Sequence, residues 1–152
     1  MRYIDKGATL SKCKKYRYSL WRRWDNKPMV LFIMLNPSTA DSNEDDPTIK
    51  RCVNYAKSWG YGGIMVGNLF AYRSTDPKKL QLVKNPEGRD NKTILLCMIN
   101  TAKLVICAWG NHYGPPPLYL KKITKLYYLK VNKDGTPAHP LYLRKSLFPT
   151  TY

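Results

Sequence analysis

The sequence predicts an α/β protein: a single three-layer domain whose central, mostly parallel, four-stranded sheet is flanked by helices, with an N-terminal antiparallel edge strand. Three observations predict it. Met29 to Leu35 is an apolar run that stops at Asn36-Pro37, and a short run rich in Val, Ile, Leu and Phe fits a strand buried on both faces of a parallel sheet. Apolar runs alternate with segments of helical spacing, an order that packs as a parallel sheet covered on both faces through right-handed crossovers. Each predicted strand also has a polar motif at or soon after its carboxyl end: NPSTAD, NLFAYR, WGNH and, a few residues further on, HPLYL. Those ends form the edge at which open α/β sheets bind ligands. At 152 residues the length fits one domain, residues 1–152.

The first organised stretch, KCKKYRYSLWRRWDNK, interleaves cations with aromatics from Lys12 to Lys27. Even positions from Tyr16 to Trp24 are mainly apolar, which predicts the half-buried edge strand. The mixture suits a phosphate backbone and stacked bases, and equally an edge protected by charge. After the first buried strand comes a polar loop with an acidic patch at Asp41, Glu44, Asp45 and Asp46. Asp46 is a good N-cap, Pro47 fits the first helical position and Gly60 ends the helix. Ile49, Cys52, Val53 and Ala56 fall on one face of that helix, and carboxylates at its start have a structural explanation.

Gly62 to Leu69 reads as the second strand. Asp76-Pro77 opens a short helix through Val83, and Asn85 to Gly88 is a turn. Asp90 to Ala102 has helical spacing, and Lys103 to Trp109 is the third strand, broken at Gly110. Pro115 to Pro117 precede a short helix. Leu126 to Val131 is the fourth strand, and His139 to Leu143 lead into a basic, frayed tail.

Twenty-six Lys and Arg against ten Asp and Glu leave a net charge of +16. Such a balance favours a polyanionic partner, nucleic acid first and an anionic membrane second, with a merely solvated basic surface as the plain alternative. The four cysteines include no C-x-x-C pair and read as reduced, mostly buried thiols, not as metal ligands. His112, His139 and Asp41 lack the short spacing of a metal site. No segment reads as a signal peptide or a membrane span, so a cytoplasmic protein without a membrane partner is expected.

Asn36 stands at the predicted ligand edge, or caps the turn that Pro37 imposes. Asn68 either meets a ligand or ties down its own loop. Trp109 reads as a core or rim aromatic, and His112 as a loop hydrogen bond or a second site histidine. Arg73 is either a phosphate contact or a partner for the acidic patch.

Taken together, NPSTAD, the following Asp-Pro-Thr, WGYGG, NLFAYR, AWGNH and HPLYL resemble a bacterial and phage family of small proteins known mainly as a domain of unknown function. The order Asn36-Pro37, Asn68, Trp109-Gly110 and His139-Pro140 is also similar to that of the uracil-DNA glycosylase superfamily. This second resemblance implies a glycosylase-like fold and a cofactor-free, metal-free hydrolysis of the N-glycosidic bond of a flipped nucleotide. It implies that Asn36 holds the attacking water and that His139 stabilises charge on the departing base. Asn68 would read the pyrimidine edge, within a base pocket that includes Pro37, Ser38, Phe70, Trp109 and His112. Ser38 stands where the best-known uracil enzymes carry a bulky aromatic, so the implied base is uracil or a relative. Leu141, Tyr142 or Leu143 would wedge into the duplex. Arg22, Arg23, Arg73, Lys121, Lys122 and Arg144 would meet DNA, bound by a monomer. Two other classes remain open: a non-catalytic binder of nucleic acid or a modified nucleotide, and an enzyme acting on free nucleotides, which the charge disfavours.

Overall fold

The computed structural model describes residues 2–152 and leaves Met1 outside the described residues. It is an α/β structure with one mixed sheet of seven strands. The strands are β1 (Asp5–Leu10), β2 (Arg17–Arg23), β3 (Met29–Met34), β4 (Gly63–Asn68), β5 (Leu104–Cys107), β6 (Tyr127–Tyr128) and β7 (Thr150–Thr151). The helices are α1 (Pro47–Ser58), α2 (Asn91–Thr101) and α3 (Leu118–Ile123), with 3₁₀ turns at Pro77–Leu82 and Pro140–Tyr142. Across the sheet the order is β1-β2-β4-β3-β5-β6-β7. The pairs β4–β3, β3–β5 and β5–β6 are parallel, while β1–β2, β2–β4 and β6–β7 are antiparallel.

β3 has no polar break because it is buried on two sides. Val30, Phe32 and Met34 pack with Ile49, Cys52, Val53 and Ala56 of α1, whereas Leu31 and Ile33 pack with Leu95, Met98 and Ile99 of α2. Alternate residues of one strand therefore enter two separate cores. α1 starts as its sequence dictates: Asp46 accepts the Ile49 amide at 2.9 Å and Pro47 occupies the first turn.

The expected four-stranded sheet with β2 at its edge is corrected to seven strands with β2 inside. The true edge is β1, whose DKGATL has little strand propensity. Its Gly7 lies under the Trp21 ring, where a Cβ would come within 2.2 Å of the indole. The expected strand over Leu126–Val131 shrinks to two residues, and the tail expected to fray is fastened. Thr150–Thr151 pairs with β6, Trp59 Nε1 donates to the Leu147 carbonyl at 3.0 Å, and Leu143 and Leu147 pack on the α1 core.

One irregularity bears on the site. The β1–β2 ladder slips between Thr9 and Leu10, which pair with Ser19 and Arg17 and leave Tyr18 as the extra residue of a bulge. Arg17 thereby emerges on the face of Leu20 and Arg22, where it reaches the Ala40 carbonyl beside the α1 core. Among the described residues no helix is long and apolar enough to cross a membrane.

Candidate functional site

Taken in chain order, the four parallel strands lie second, first, third, fourth across the sheet, so the direction of winding reverses between β3 and β5. A crevice outside the carboxyl ends is expected at such a reversal. The structure has one there, a cleft of about 520 Å³. Its wall brings together Asn36, Pro37 and Ser38 from the loop after β3, Asn68 from the end of β4, and Trp109 and His112 from the loop after β5. His139 and Leu141 close it from the late motif.

Asn36 holds the first corner. Its Nδ2 donates to the Ser74 carbonyl at 2.8 Å, to Pro37 at 3.2 Å and, at 3.5 Å, to Tyr72. Three carbonyls around one nitrogen fix the amide orientation. The nitrogen is thereby committed to the loop after β4, and Oδ1 is the group left to a ligand or water.

Asn68 is fully buried, and neither its Oδ1 nor its Nδ2 has a partner. Buried polar groups are nearly always paired, because an unmade hydrogen bond leaves the whole desolvation cost standing. An amide with both ends free on the wall of a cleft is placed for a ligand offering one donor and one acceptor. The strand end carrying it is held from behind: Asn91 Nδ2 donates to the carbonyls of Asn68 at 2.8 Å and Leu69 at 3.2 Å.

Trp109 is a buried post. Its Nε1 donates to the Gly114 carbonyl at 2.7 Å and shapes the loop that carries His112. Gly110 (φ +79) donates to the Pro137 carbonyl at 2.8 Å and has room for a Cβ only up to 3.5 Å from that of His139. This contact brings the two histidine loops side by side. His139 Nδ1 accepts the Leu141 amide at 3.2 Å, so in the neutral ring the proton sits on Nε2. Desolvation at the cleft wall lowers the pKa of this imidazole from its ordinary value, partly offset by the charge of Asp46.

Several residues expected here are elsewhere. Phe70 does not line the cleft; it packs edge-on to Tyr113 on the α2 side. Arg22 is wholly buried, with its five N–H directions taken by Asp45 Oδ1 at 2.7 Å and the carbonyls of Gly7, Trp21, Asp41 and Glu44. It holds the acidic loop and has nothing left for a phosphate. Arg23 wraps the β2–β3 turn through the carbonyls of Asp25, Asn26 and Lys27, at the opposite end of the sheet. Lys121 and Lys122 are exposed on α3, away from the cleft wall. Leu143 packs on the core, and Leu141 lines the cleft, which leaves Tyr142, 92% exposed, as the free side chain of the late turn. Arg51 of α1 fixes that turn by donating to the carbonyls of Leu141 and Leu143 at 2.7 and 3.1 Å. Arg144 stays exposed while its carbonyl accepts the Tyr55 hydroxyl.

Three residues on the wall were missed in the sequence. Asp46 caps α1 with Oδ1 and is the one carboxylate among the described lining residues; its cap signature did not reveal that it faces the cleft. Arg17 is 3% exposed, and its Nε has no partner. The bulge hid its direction. Cys52 lies on the floor, where burial raises its pKa well above the ordinary value and keeps it a neutral thiol, unsuited to nucleophilic attack. Among the described residues no three His, Cys, Asp or Glu side chains converge to hold a metal ion.

Residues 17–141 match the family described as "Protein of unknown function (DUF1643)", and the chain belongs to it. No curated protein and no solved structure matches the chain.

Proposed function

We propose that this member of the family is a DNA glycosylase: its cleft receives a base flipped out of DNA, uracil or a related one, and hydrolyses the N-glycosidic bond with water. The observation that carries this reading is the buried, unpartnered amide of Asn68. A pyrimidine edge with a ring N–H beside a carbonyl oxygen satisfies both of its ends, and a base lacking that pattern leaves them unpaired, which gives selectivity. The order of the motifs, similar to that of the uracil-DNA glycosylase superfamily, supports the same reading.

In this mechanism Asn36 Oδ1 accepts a hydrogen bond from the attacking water. As the C1′–N bond breaks, its electron pair leaves with the base and the sugar becomes oxocarbenium-like. The water oxygen bonds to C1′ and its proton passes to Asp46, the only carboxylate within the described wall. His139 Nε2–H hydrogen-bonds the oxygen of the departing base, where negative charge collects. Tyr142 fills the gap left in the stack.

The test is an oligonucleotide with one uracil, single- and double-stranded, incubated with the protein and then treated with hot alkali. Strand scission that disappears in Asn36→Ala and His139→Ala is the expected result. Asp46→Asn keeps the helix cap, since Asn caps as well as Asp, and lowers turnover by about 10²–10⁴-fold. A second reading, a binder that does not cut, draws on Asn36, whose amide nitrogen is fully engaged by the loop. Absence of scission, with a salt-sensitive mobility shift retained, would replace the enzyme by that binder.

A further inference from the structure

We propose that Arg17 and Arg73 anchor a phosphate of the bound nucleotide, so that the cleft takes a phosphorylated unit in preference to a nucleoside or free base. The inference rests on reading the cleft as a nucleotide site, and it assigns a group that the base pocket leaves unexplained.

Arg17 is buried, yet only its Nη1 has a protein partner, the Ala40 carbonyl at 2.8 Å. Nε is buried with no partner, and no hydrogen bond of Nη2 exists among the described residues. The free Nε–Nη2 edge is the one that grips two oxygens of an oxyanion with parallel bonds. Asp46 lies on the same wall but forms no ion pair with it among the described residues. A desolvated guanidinium without its anion is costly. Burial, partly offset by the charge of Asp46, and then the nearby charge of Arg73 push the pKa of Arg17 down to about 10.

Arg73 approaches from the neighbouring segment. Arg17 N donates to the Ala71 carbonyl and Arg73 N to the Lys15 carbonyl, both at 2.9 Å, so residues 14–17 and 71–73 run side by side as a short ribbon. This ribbon separates the cleft from a shallower groove of about 450 Å³ lined by Lys14, Lys15 and Arg73, with no carboxylate among its described lining residues. Ser38, Ser74 and Thr75 line both spaces and add hydroxyls at the junction. Lys14 holds a left-handed backbone (φ 61) at the turn, with its carbonyl on Arg73 Nη1 at 3.4 Å. One guanidinium on the cleft wall and, across the ribbon, a second with two ammonium groups along the adjoining groove make this end of the site cationic, while the Asn68 end is neutral, the polarity of a nucleotide with its phosphate outward.

The phosphate can belong to a strand or to a free monophosphate, and titration distinguishes them. Affinities are measured for deoxyribose, deoxyribose 5-phosphate, deoxyuridine, deoxyuridine 5′-monophosphate and a single-stranded tetramer containing one uracil. The phosphate is expected to strengthen binding at least about tenfold in both pairs. Arg17→Gln and Arg73→Ala remove that advantage while the affinity for deoxyuridine stays. Asn68→Ala does the reverse. A tetramer that outcompetes the monophosphate assigns the phosphate to a strand; equal affinities assign it to the free nucleotide. Equal binding of deoxyribose with and without phosphate overturns the proposal, as does an advantage that survives both substitutions. If melting shows that Arg17→Gln fails to fold, Arg73→Ala, at the rim, carries the test. The base-free pair reads the phosphate site even if uracil proves not to be the ligand.

Discussion

Arg22 and Arg17 stand five residues apart on the same strand, both nearly free of solvent. Around Arg22, in the region of the acidic loop, each donor meets an acceptor, and Tyr3 completes Asp45 from the other side at 2.7 Å. Around Arg17, at the carboxyl edge of the sheet, donors are left over. A similar contrast separates the donors of Asn91, whose Nδ2 clamps two carbonyls while its Oδ1 has no partner, from those of Asn68, whose amide is unpartnered at both ends. Burial is equal in each pair, so burial does not distinguish a structural side chain from a binding one. The accounting of hydrogen bonds does.

The comparison breaks most visibly at Arg22. Arg22→Met leaves Asp45 without its cation and four loop and strand carbonyls without their donor, and is expected to cost about 3–5 kcal/mol in urea unfolding. If stability barely changes, the saturated network is not what holds the acidic loop. Next comes the asparagine pair. Asn68→Ala is expected to weaken binding of a uracil-containing strand by about a hundredfold, two lost hydrogen bonds, with stability unchanged or raised by about 1 kcal/mol. Asn91→Ala should instead destabilise by about 1–3 kcal/mol, because two buried carbonyls lose their donor. Opposite signs in thermal melting would sharpen the distinction; equal losses would erase it.

Tyr142→Ala tests the far side of the cleft. The side chain supports nothing in the fold, so the unfolding midpoint should stay put. Uracil release from duplex should fall several-fold more than release from a single strand, where no stack has to be filled. The smallest effect concerns pH. The pKa of His139 lies below the 6.5 of a free imidazole, so the unfolded chain binds this proton more readily than the folded one. The group's contribution is constant above pH 6.5 and declines as pH falls from 6.5 through the lowered value. Unfolding midpoints of the protein and of His139→Gln should therefore differ most at neutral pH and above, and converge on acidification through that window.

Much of the frame was legible because it rests on patterns that no tertiary contact has to supply. The apolar runs of β3, β4 and β5, and the Asp46-Pro47 start of α1, stand in the sequence as they stand in the fold. β1 was not legible, since Gly7 is selected by the indole of Trp21 across the ladder and not by its own neighbours. β6 and β7 escaped because two-residue strands exist only through their pairing. At the site, Asn36, Asn68 and His139 were readable as strand-end polar residues, and they share one cleft. Arg22 and Arg23 were misread because a cation–aromatic stretch does not reveal which cations the fold consumes. Arg51 fastens the late turn through partners about 90 positions away in the chain, which no local pattern announces.

The bulge at Tyr18 makes the cation of the cleft a matter of counting as well as of identity. Substituting Tyr18 leaves the extra residue in place, and deleting it would keep Arg17 opposite Leu10, whereas straightening the ladder with Tyr18 retained would swing Arg17 to the side where Trp21 packs. A homologue can therefore keep both arginines at this spacing and still lose the anion grip by losing the bulge. When such chains are compared, the register opposite Thr9 and Leu10 is as informative as the two arginines themselves.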